Sequence, residues 1–258
     1  MIKLTNEFNH YLEILTELYQ ELESLPAGSL VKARGSTFYH KINGKRIGIT
    51  NDRKKISELA RKKFIFVFTR NILYNMSLIK KGLTSSLEST QTLDVKKLKP
   101  LHPRDIINSL PESYQGLSES SFYHSSTGKW LAETSAQNEY KKELQTFKSK
   151  SGQLFRSRGE QSFANLLEDN GLPYKSDVAL TLGGVTKYPD FIVINPFTGK
   201  QFVLEFFGLA DQSGYDKKMN NKMDWYRMNN VEVIYLFESD MRDSQHLQNL
   251  IDEKIWGI

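Results

Sequence analysis

The chain of 258 residues contains no cysteine, which excludes disulfide bonds, thiolate metal sites and cysteine nucleophiles. No apolar run approaches the roughly 18 residues of a membrane-spanning helix, and no basic and apolar leader opens the chain. The five histidines are scattered with no i, i+4 pair, and no phosphate-binding Gly-rich loop is present, so neither a zinc hydrolase nor an NTPase is supported. We therefore expect a cytoplasmic protein without a membrane partner.

Charge is divided unequally along the chain. Residues 1–150 hold 24 Lys and Arg against 15 Asp and Glu, whereas residues 151–258 hold 11 against 15. The excess is densest in residues 29–70, which carry 12 Lys and Arg against only Asp52 and Glu58. A segment of this kind can be a solvated surface, but its density favours contact with a polyanion. The length allows one or two ordinary cores.

Residues 1–82 are predicted to form an α+β basic domain that binds nucleic acid. Three short strands are expected at 30–34, 38–42 and 45–50, with Asn43-Gly44 as the hairpin turn between the last two. A long helix follows over about 52–80. Such a ribbon can lie against a phosphate backbone or enter a major groove. The residues predicted to bind nucleic acid are Lys32, Arg34, Lys41, Lys45, Arg46, Arg53, Lys54 and Lys55.

Two further segments of this half are indicated by their patterns. Residues 5–24 form an amphipathic helix whose apolar stripe can pack on the 52–80 helix or on a second copy of the chain, which leaves a homodimer open. Residues 83–128 are rich in Ser, Thr, Pro and Leu without a clean period and are predicted to be a linker. A helix over about 129–149 then leads into a domain spanning 129–258.

Two acids mark the ends of two apolar runs in this second domain. Asp190 lies in Tyr188-Pro189-Asp190-Phe191, and Glu205 lies in Val203-Leu204-Glu205-Phe206-Phe207, with a Gly-containing turn at 195–200 between them. The pattern predicts a β-hairpin. Because Asp190 begins one strand and Glu205 ends the next, an antiparallel pair brings both to the same end. Two carboxylates there form an oxygen-rich site suited to Mg²⁺ or Mn²⁺.

Each acid also has an ordinary explanation. Asp after Pro is common turn chemistry, and a single Glu in a strand is usually solvated. Glu205, however, is flanked by apolar residues on both sides, which indicates a strand covered on both faces. A carboxylate in that position costs free energy unless it is paired or binds a metal ion. The two acids together therefore favour a site.

A helix upstream adds a third acid. Residues 157–170 carry an apolar stripe at helical spacing, and Gly171 supplies a C-terminal stop. Glu160 lies in the first turn on the same side as Phe163 and Ala164. It would point towards whatever the helix packs on. Alternatively, it only complements the helix dipole.

These three pieces in this order resemble the PD-(D/E)XK nuclease superfamily. Arg156-Ser157-Arg158-Gly159-Glu160, Tyr188-Pro189-Asp190-Phe191 and Glu205-Phe206-Phe207-Gly208 are similar to an Arg-Ser-Lys-x-Glu, Pro-Asp-Phe, Glu-x-Phe-Gly pattern, and the resemblance covers roughly 153–237. It implies an α/β fold with a restriction-endonuclease-like mixed sheet flanked by helices. A first strand at 175–182, a strand at 231–237 and a final helix at 243–255 complete the order α-β-β-β-α-β-α.

The resemblance implies a Mg²⁺-dependent endonuclease, acting on DNA in preference to RNA, with Mn²⁺ as an alternative ion. Asp190, Glu205 and Glu160 would be the metal ligands. Phe207 stands where the family places its lysine, so the role moves to Lys222 or Lys218 on the following helix, with Lys222 preferred. Either lysine can equally be a surface charge. The alternative function is an inactive nuclease-fold protein that binds nucleic acid or a protein partner, as in phage or host defence.

Overall fold

The computed structural model describes residues 2–85, 97–140, 142–207, 215–237 and 239–257, although not the side chains of 2–7, 82–85, 215–218 and 242. The chain is a mixed α/β protein of two compact units, Met1–Tyr123 and His124–Ile258. The boundary falls inside the segment 83–128 that the sequence predicts to be the linker, and residues 97–123 belong to the first unit. None of the helices in the described ranges is long and apolar enough to cross a membrane.

The first unit combines helices with a three-stranded antiparallel sheet. Its elements are α1 (Ile2–Ser24), β1 (Ser29–Lys32), β2 (Phe38–Ile42), β3 (Lys45–Gly48), α2 (Arg53–Ser85), α3 (Pro103–Asn108) and two short 3-10 turns at Glu112–Tyr114 and Glu119–Phe122. Asn43 and Gly44 take positive φ angles of 47° and 75°, which a two-residue hairpin turn requires. The predicted hairpin is confirmed.

The core of the first unit lies along α2. Tyr11, Leu15 and Leu18 of α1 are buried, and α1 packs on α2. One of the two partners expected for the α1 stripe is therefore α2, and a homodimer stays a prediction. Arg61 of α2 is buried, and its guanidinium donates to both carboxylate oxygens of Glu21 at 2.9 and 2.7 Å. This ion pair ties α1 to α2.

The second unit contains the remaining strands and helices. They are α4 (Ser125–Ala132), β4 (Phe147–Lys148), β5 (Leu154–Phe155), α5 (Arg158–Asp169), β6 (Tyr174–Ser176), β7 (Leu180–Leu182), β8 (Val185–Lys187), β9 (Phe191–Ile194), β10 (Gln201–Phe207), α6 (Tyr215–Met228), β11 (Val233–Phe237) and α7 (Ser244–Leu250), which continues as a π-helix over Ile251–Trp256. The helix predicted over 129–149 is wrong, because α4 ends at Ala132. Residues 136–138 instead bond to the backbone of 177–179.

The central sheet of the second unit has the strand order β11-β10-β9-β6. Strand β10 pairs parallel with β11 and antiparallel with β9, and β9 pairs antiparallel with β6. The predicted order α-β-β-β-α-β-α is therefore present as α5, β6, β9, β10, α6, β11 and α7, with the β7–β8 hairpin inserted. The predicted single strand over 175–182 is wrong. It breaks at Asp177, whose φ of 53° ends β6.

The register of the β9–β10 hairpin places the two acids. Leu204 lies opposite Phe191 as the last pair of the ladder. Asp190 comes one residue before β9, so continuing this register by one step places it opposite Glu205. The parallel register then sets Glu205 beside Tyr235 of β11. The fold thus brings both acids to the end of the sheet where the sequence predicts them.

Candidate functional site

Glu205 is a buried carboxylate on β10 whose two oxygens are both occupied by α6. Only 2% of its surface is exposed. Its Oε2 lies 2.6 Å from the Nζ of Lys222, and its Oε1 accepts a hydrogen bond from the hydroxyl of Tyr226. Lys222 and Tyr226 are four residues apart and so lie on one face of the helix. The Lys222 ammonium also donates to the carbonyl of Tyr188 at 3.1 Å, which joins α6 to the segment before Asp190.

Phe207, at the position where the resemblance leads us to expect a lysine, is part of an aromatic cluster. It is buried, and its ring lies 5.7 Å from that of Tyr235 and 5.9 Å from that of Phe237. Residues 205 and 207 lie on the same face of β10, because side chains alternate along a strand. The cation on Glu205 therefore comes from α6 rather than from β10. The side chain of Lys218, the second candidate, lies outside the described residues.

Asp190 lies against Glu205. Its Oδ2 accepts the N–H of Phe206, the residue after Glu205, at 2.7 Å. Burial raises the pKa of Asp190, with Lys222 opposing that rise. Burial and the Asp190 charge together raise the pKa of Glu205 to about 7. Two acids this close do not readily carry two negative charges, so the pair takes up a proton or a cation near neutral pH.

Glu160 is held in the first turn of α5 by reciprocal bonds. Its N–H donates to the Oγ of Ser157 at 3.1 Å, and its Oε2 accepts the N–H of Arg156 at 3.2 Å, in a variant of the capping box. Burial raises the pKa of Glu160, and the charge of Asp190 raises it further. Glu160 is thus coupled electrostatically to Asp190. The predicted helix is confirmed, with Ser157 as its N-cap.

Gly159 allows α5 to approach the site closely. A Cβ at this position would lie 2.6 Å from Cε1 of the Phe206 ring. Phe206 is also the residue whose N–H binds Asp190. The absence of a side chain at 159 therefore sets how near Glu160 comes to the strand that carries Glu205.

Arg156 and Asp177 connect the segments of Glu160 and Asp190, and the sequence reasoning assigned neither a role. The Nη2 of Arg156 lies 2.7 Å from Oδ2 of Asp177, while the Arg156 N–H holds Glu160. The Asp177 N–H in turn donates to the Asp190 carbonyl at 3.3 Å. Arg156 is part of the motif at 156–160. The role of Asp177 could not be predicted, because this residue lies within a run whose pattern indicates a strand.

The acids that could hold a divalent ion are the pair Asp190 and Glu205, not a group of three ligands. Among the described residues, no three His, Cys, Asp or Glu side chains come together as a metal-ion group. The strand register and the Phe206 N–H bond bring Asp190 and Glu205 to the same end of the sheet, and carboxylate oxygens are the ligands that Mg²⁺ and Mn²⁺ prefer. Because the pKa of both acids is raised, a dication there would compensate charge that one lysine does not fully neutralise. Glu160 is coupled to this pair through charge.

The residues predicted to bind nucleic acid differ in whether their side chains already have a partner within the protein. Lys32 donates to the Gln115 carbonyl at 3.4 Å, and Lys55 lies 3.4 Å from Glu58. The other six are exposed, and none of them forms an ion pair or a hydrogen bond through its side chain within the described ranges: Arg34, Lys41, Lys45, Arg46, Arg53 and Lys54. Lys41 and Arg46 are brought directly opposite each other by the β2–β3 register.

No protein-family model, no curated protein and no solved structure matches this chain.

Proposed function

We propose that the second unit is a Mg²⁺-dependent endonuclease that hydrolyses phosphodiester bonds, in DNA in preference to RNA. The observation that carries the proposal is that Asp190 and Glu205 lie at the same end of the β9–β10 hairpin, with the Lys222 ammonium 2.6 Å from Glu205. The resemblance implies a restriction-endonuclease-like fold. The mixed sheet, and the order of its strands and of α5, α6 and α7 along the chain, support this part of the proposal.

Asp190 and Glu205 would hold Mg²⁺ or Mn²⁺, and Glu160 would contribute through water. The bound ion would supply a water of lowered pKa and would stabilise the charge on the phosphate being cleaved. Mn²⁺ suits the same oxygen ligands.

Lys222 has the properties expected of the cation in such a site. Its side chain is 26% exposed, whereas the Glu205 side chain beside it is buried, so Lys222 is the member of the ion pair that solvent reaches. An ammonium in that position can orient the attacking water or neutralise a phosphate oxygen. Tyr226 holds the second oxygen of Glu205 and so fixes the orientation of the carboxylate.

A second candidate function follows from the same contacts. Both oxygens of Glu205 already accept hydrogen bonds from α6, and Lys222 provides one positive charge without a metal ion. A nuclease-fold protein that binds nucleic acid without cleaving it would be stable with this arrangement.

Cleavage assays with isosteric variants separate the two candidates. Plasmid, single-stranded and branched DNA are incubated with Mg²⁺ or Mn²⁺ and analysed for nicked and linear products. We expect the wild type to cleave at least one substrate, and Asp190→Asn and Glu205→Gln each to abolish cleavage. Glu232→Gln, which changes an exposed acid of the same unit, is the matched control and should retain activity.

Two results would contradict the nuclease proposal. Cleavage that survives both substitutions would assign the chemistry to other residues. Binding without cleavage of any substrate by the wild type would favour the second candidate.

A further inference from the structure

The sheet of the first unit has two unlike faces. The pairing register places Leu30 opposite His40, and both are buried on the side that packs against α2. The opposite side, called the outer face, carries Ser29, Val31, Tyr39, Lys41, Arg46 and Gly48. Its two cations therefore project away from the core of the unit.

Lys41 and Arg46 form a pair of like charges that the fold does not neutralise. They lie directly opposite each other on β2 and β3, an arrangement that destabilises a strand pair. Both are exposed, and neither has an ion pair or hydrogen-bonding partner for its side chain in the part of the chain that the structure describes. An external anion that meets both cations would remove their repulsion.

The surroundings of the outer face extend the positive charge. A Cβ on Gly48 would meet nothing within 4 Å, and an open concavity lined by residues 48–52 begins there. Arg53 and Lys54, both exposed, follow in the first turn of α2. Asp52 is the acid of this stretch, and its Oδ1 accepts the Lys55 N–H at 2.9 Å. An extended run of cations beside an open edge fits an extended polyanion.

We propose that the outer face binds the phosphate backbone of double-stranded nucleic acid. The proposal rests on the proposed function, for which this face would hold the substrate. Proteins that bind single strands stack bases on exposed aromatic side chains. Tyr39 is the aromatic residue of the outer face and is half-buried, while Phe38 points to the other side of the sheet. Contact with phosphates, rather than base stacking, is what these side chains can provide.

The salt dependence of binding tests the proposal directly. Binding of a labelled 20-bp duplex is measured by fluorescence anisotropy in EDTA over a series of NaCl concentrations. Each lost phosphate contact should make the slope of log Kobs against log salt shallower by about 0.9. For Lys41→Gln combined with Arg46→Gln we therefore expect a change of about 1.8, and an affinity at 0.1 M salt lower by on the order of 50-fold.

Two matched variants control for charge and for folding. Lys142→Gln with Lys254→Gln removes the same charge from exposed positions of the second unit and should leave the slope unchanged. Lys41→Arg with Arg46→Lys keeps both charges and should retain the wild-type slope. If the slope of log Kobs against log salt became shallower in either control, the assignment to these two positions would be overturned.

Further outcomes also decide the question. An unchanged slope in the double Gln variant, tighter binding to a single strand than to the duplex, or binding to phosphatidylserine vesicles but not to the duplex would each overturn the proposal. Cleavage is scored separately. A slope change without cleavage by the wild type leaves the outer face assigned and removes the nuclease proposal. Cleavage with an unchanged slope does the reverse.

Discussion

The sheet of the first unit and the acidic site of the second unit use charge in opposite ways. At the site, each cation forms an ion pair with an acid, as Lys222 does with Glu205 at 2.6 Å and Arg156 with Asp177 at 2.7 Å. On the sheet, Lys41 and Arg46 face each other, and neither has an acidic partner among the described residues. The difference teaches that charge at the site holds the protein's own side chains in place, whereas the two cations of the sheet are left unneutralised.

The largest effect on cleavage should come from removing the cation that lies beside Glu205. Lys222→Met leaves the buried Glu205 without its ammonium. Breaking a largely buried ion pair lowers the free energy of unfolding by up to several kcal/mol. We expect a loss of about 2 kcal/mol, since Lys222 is partly exposed, and a fall in cleavage rate of roughly 100- to 1,000-fold. Chemical denaturation and steady-state cleavage measure the two effects.

An exposed pair of the same unit is the control for Lys222. Lys200 and Glu232 are 58% and 63% exposed at 3.1 Å, so Lys200→Met should cost less than about 1 kcal/mol. It should also leave cleavage unchanged. Equal losses for the two variants would contradict a special role for the pair at Glu205.

Stability should depend on pH through Glu205. Its folded pKa of about 7 lies above the ordinary value of 4.5, so the folded state binds more protons than the unfolded state between these values. The contribution of Glu205 is therefore fully present below about pH 4.5 and is lost as the pH rises through 7. The stability of the wild type relative to Glu205→Gln should fall by about 3 kcal/mol over this range.

Urea denaturation in EDTA from pH 4.5 to 8 measures this difference. The raised pKa values of Asp190 and Glu160 act in the same direction. Added Mg²⁺ should recover part of the loss at pH 8. A difference that rises with pH would contradict the assignment.

Two glycines test how closely α5 approaches the site. Gly159→Ala places a methyl group 2.6 Å from Cε1 of the Phe206 ring and should destabilise by about 1–3 kcal/mol, while displacing Glu160 and lowering cleavage. Gly128, in α4, has nothing within 4 Å, so Gly128→Ala should stabilise by up to about 1 kcal/mol. Thermal denaturation measures both. Changes of the same sign would contradict the close packing at Gly159.

The smallest effect should come from giving the sheet of the first unit a cross-strand ion pair. Lys41→Glu sets an acid opposite Arg46 and should stabilise the sheet by about 0.2–1 kcal/mol. The same change should weaken duplex binding more than Lys41→Gln does. A destabilised variant would mean that Lys41 does not face Arg46 as described.

Local signals made much of the fold predictable. The turn at 195–200 and the apolar runs around it specified the β9–β10 hairpin, and hence the meeting of Asp190 and Glu205. The apolar stripe and Gly171 predicted α5. These elements depend on neighbours within a few residues, which a pattern along the chain records.

The features that the sequence did not reveal depend on distant partners. Asp177 breaks its predicted strand in a left-handed conformation, held by Arg156 from 21 residues away. Likewise, α4 ends early because residues 136–138 bond to the backbone of 177–179. Tyr226 lies four residues after Lys222, so its place on the same helix face could be predicted from the sequence. Its hydrogen bond to Glu205 could not, because that bond depends on how α6 packs over β10.

The contacts around the acidic pair are close together along the chain. The Phe206 N–H and the Asp190 carboxylate that accepts it are 16 residues apart, and Glu205 and Lys222 are 17 apart. Contacts between residues that are near in sequence need little loop closure and favour fast folding. Both acids, the ammonium and the Tyr226 hydroxyl therefore come from one continuous stretch of chain, residues 190–226, so that the charges of the site can be assembled as a local event.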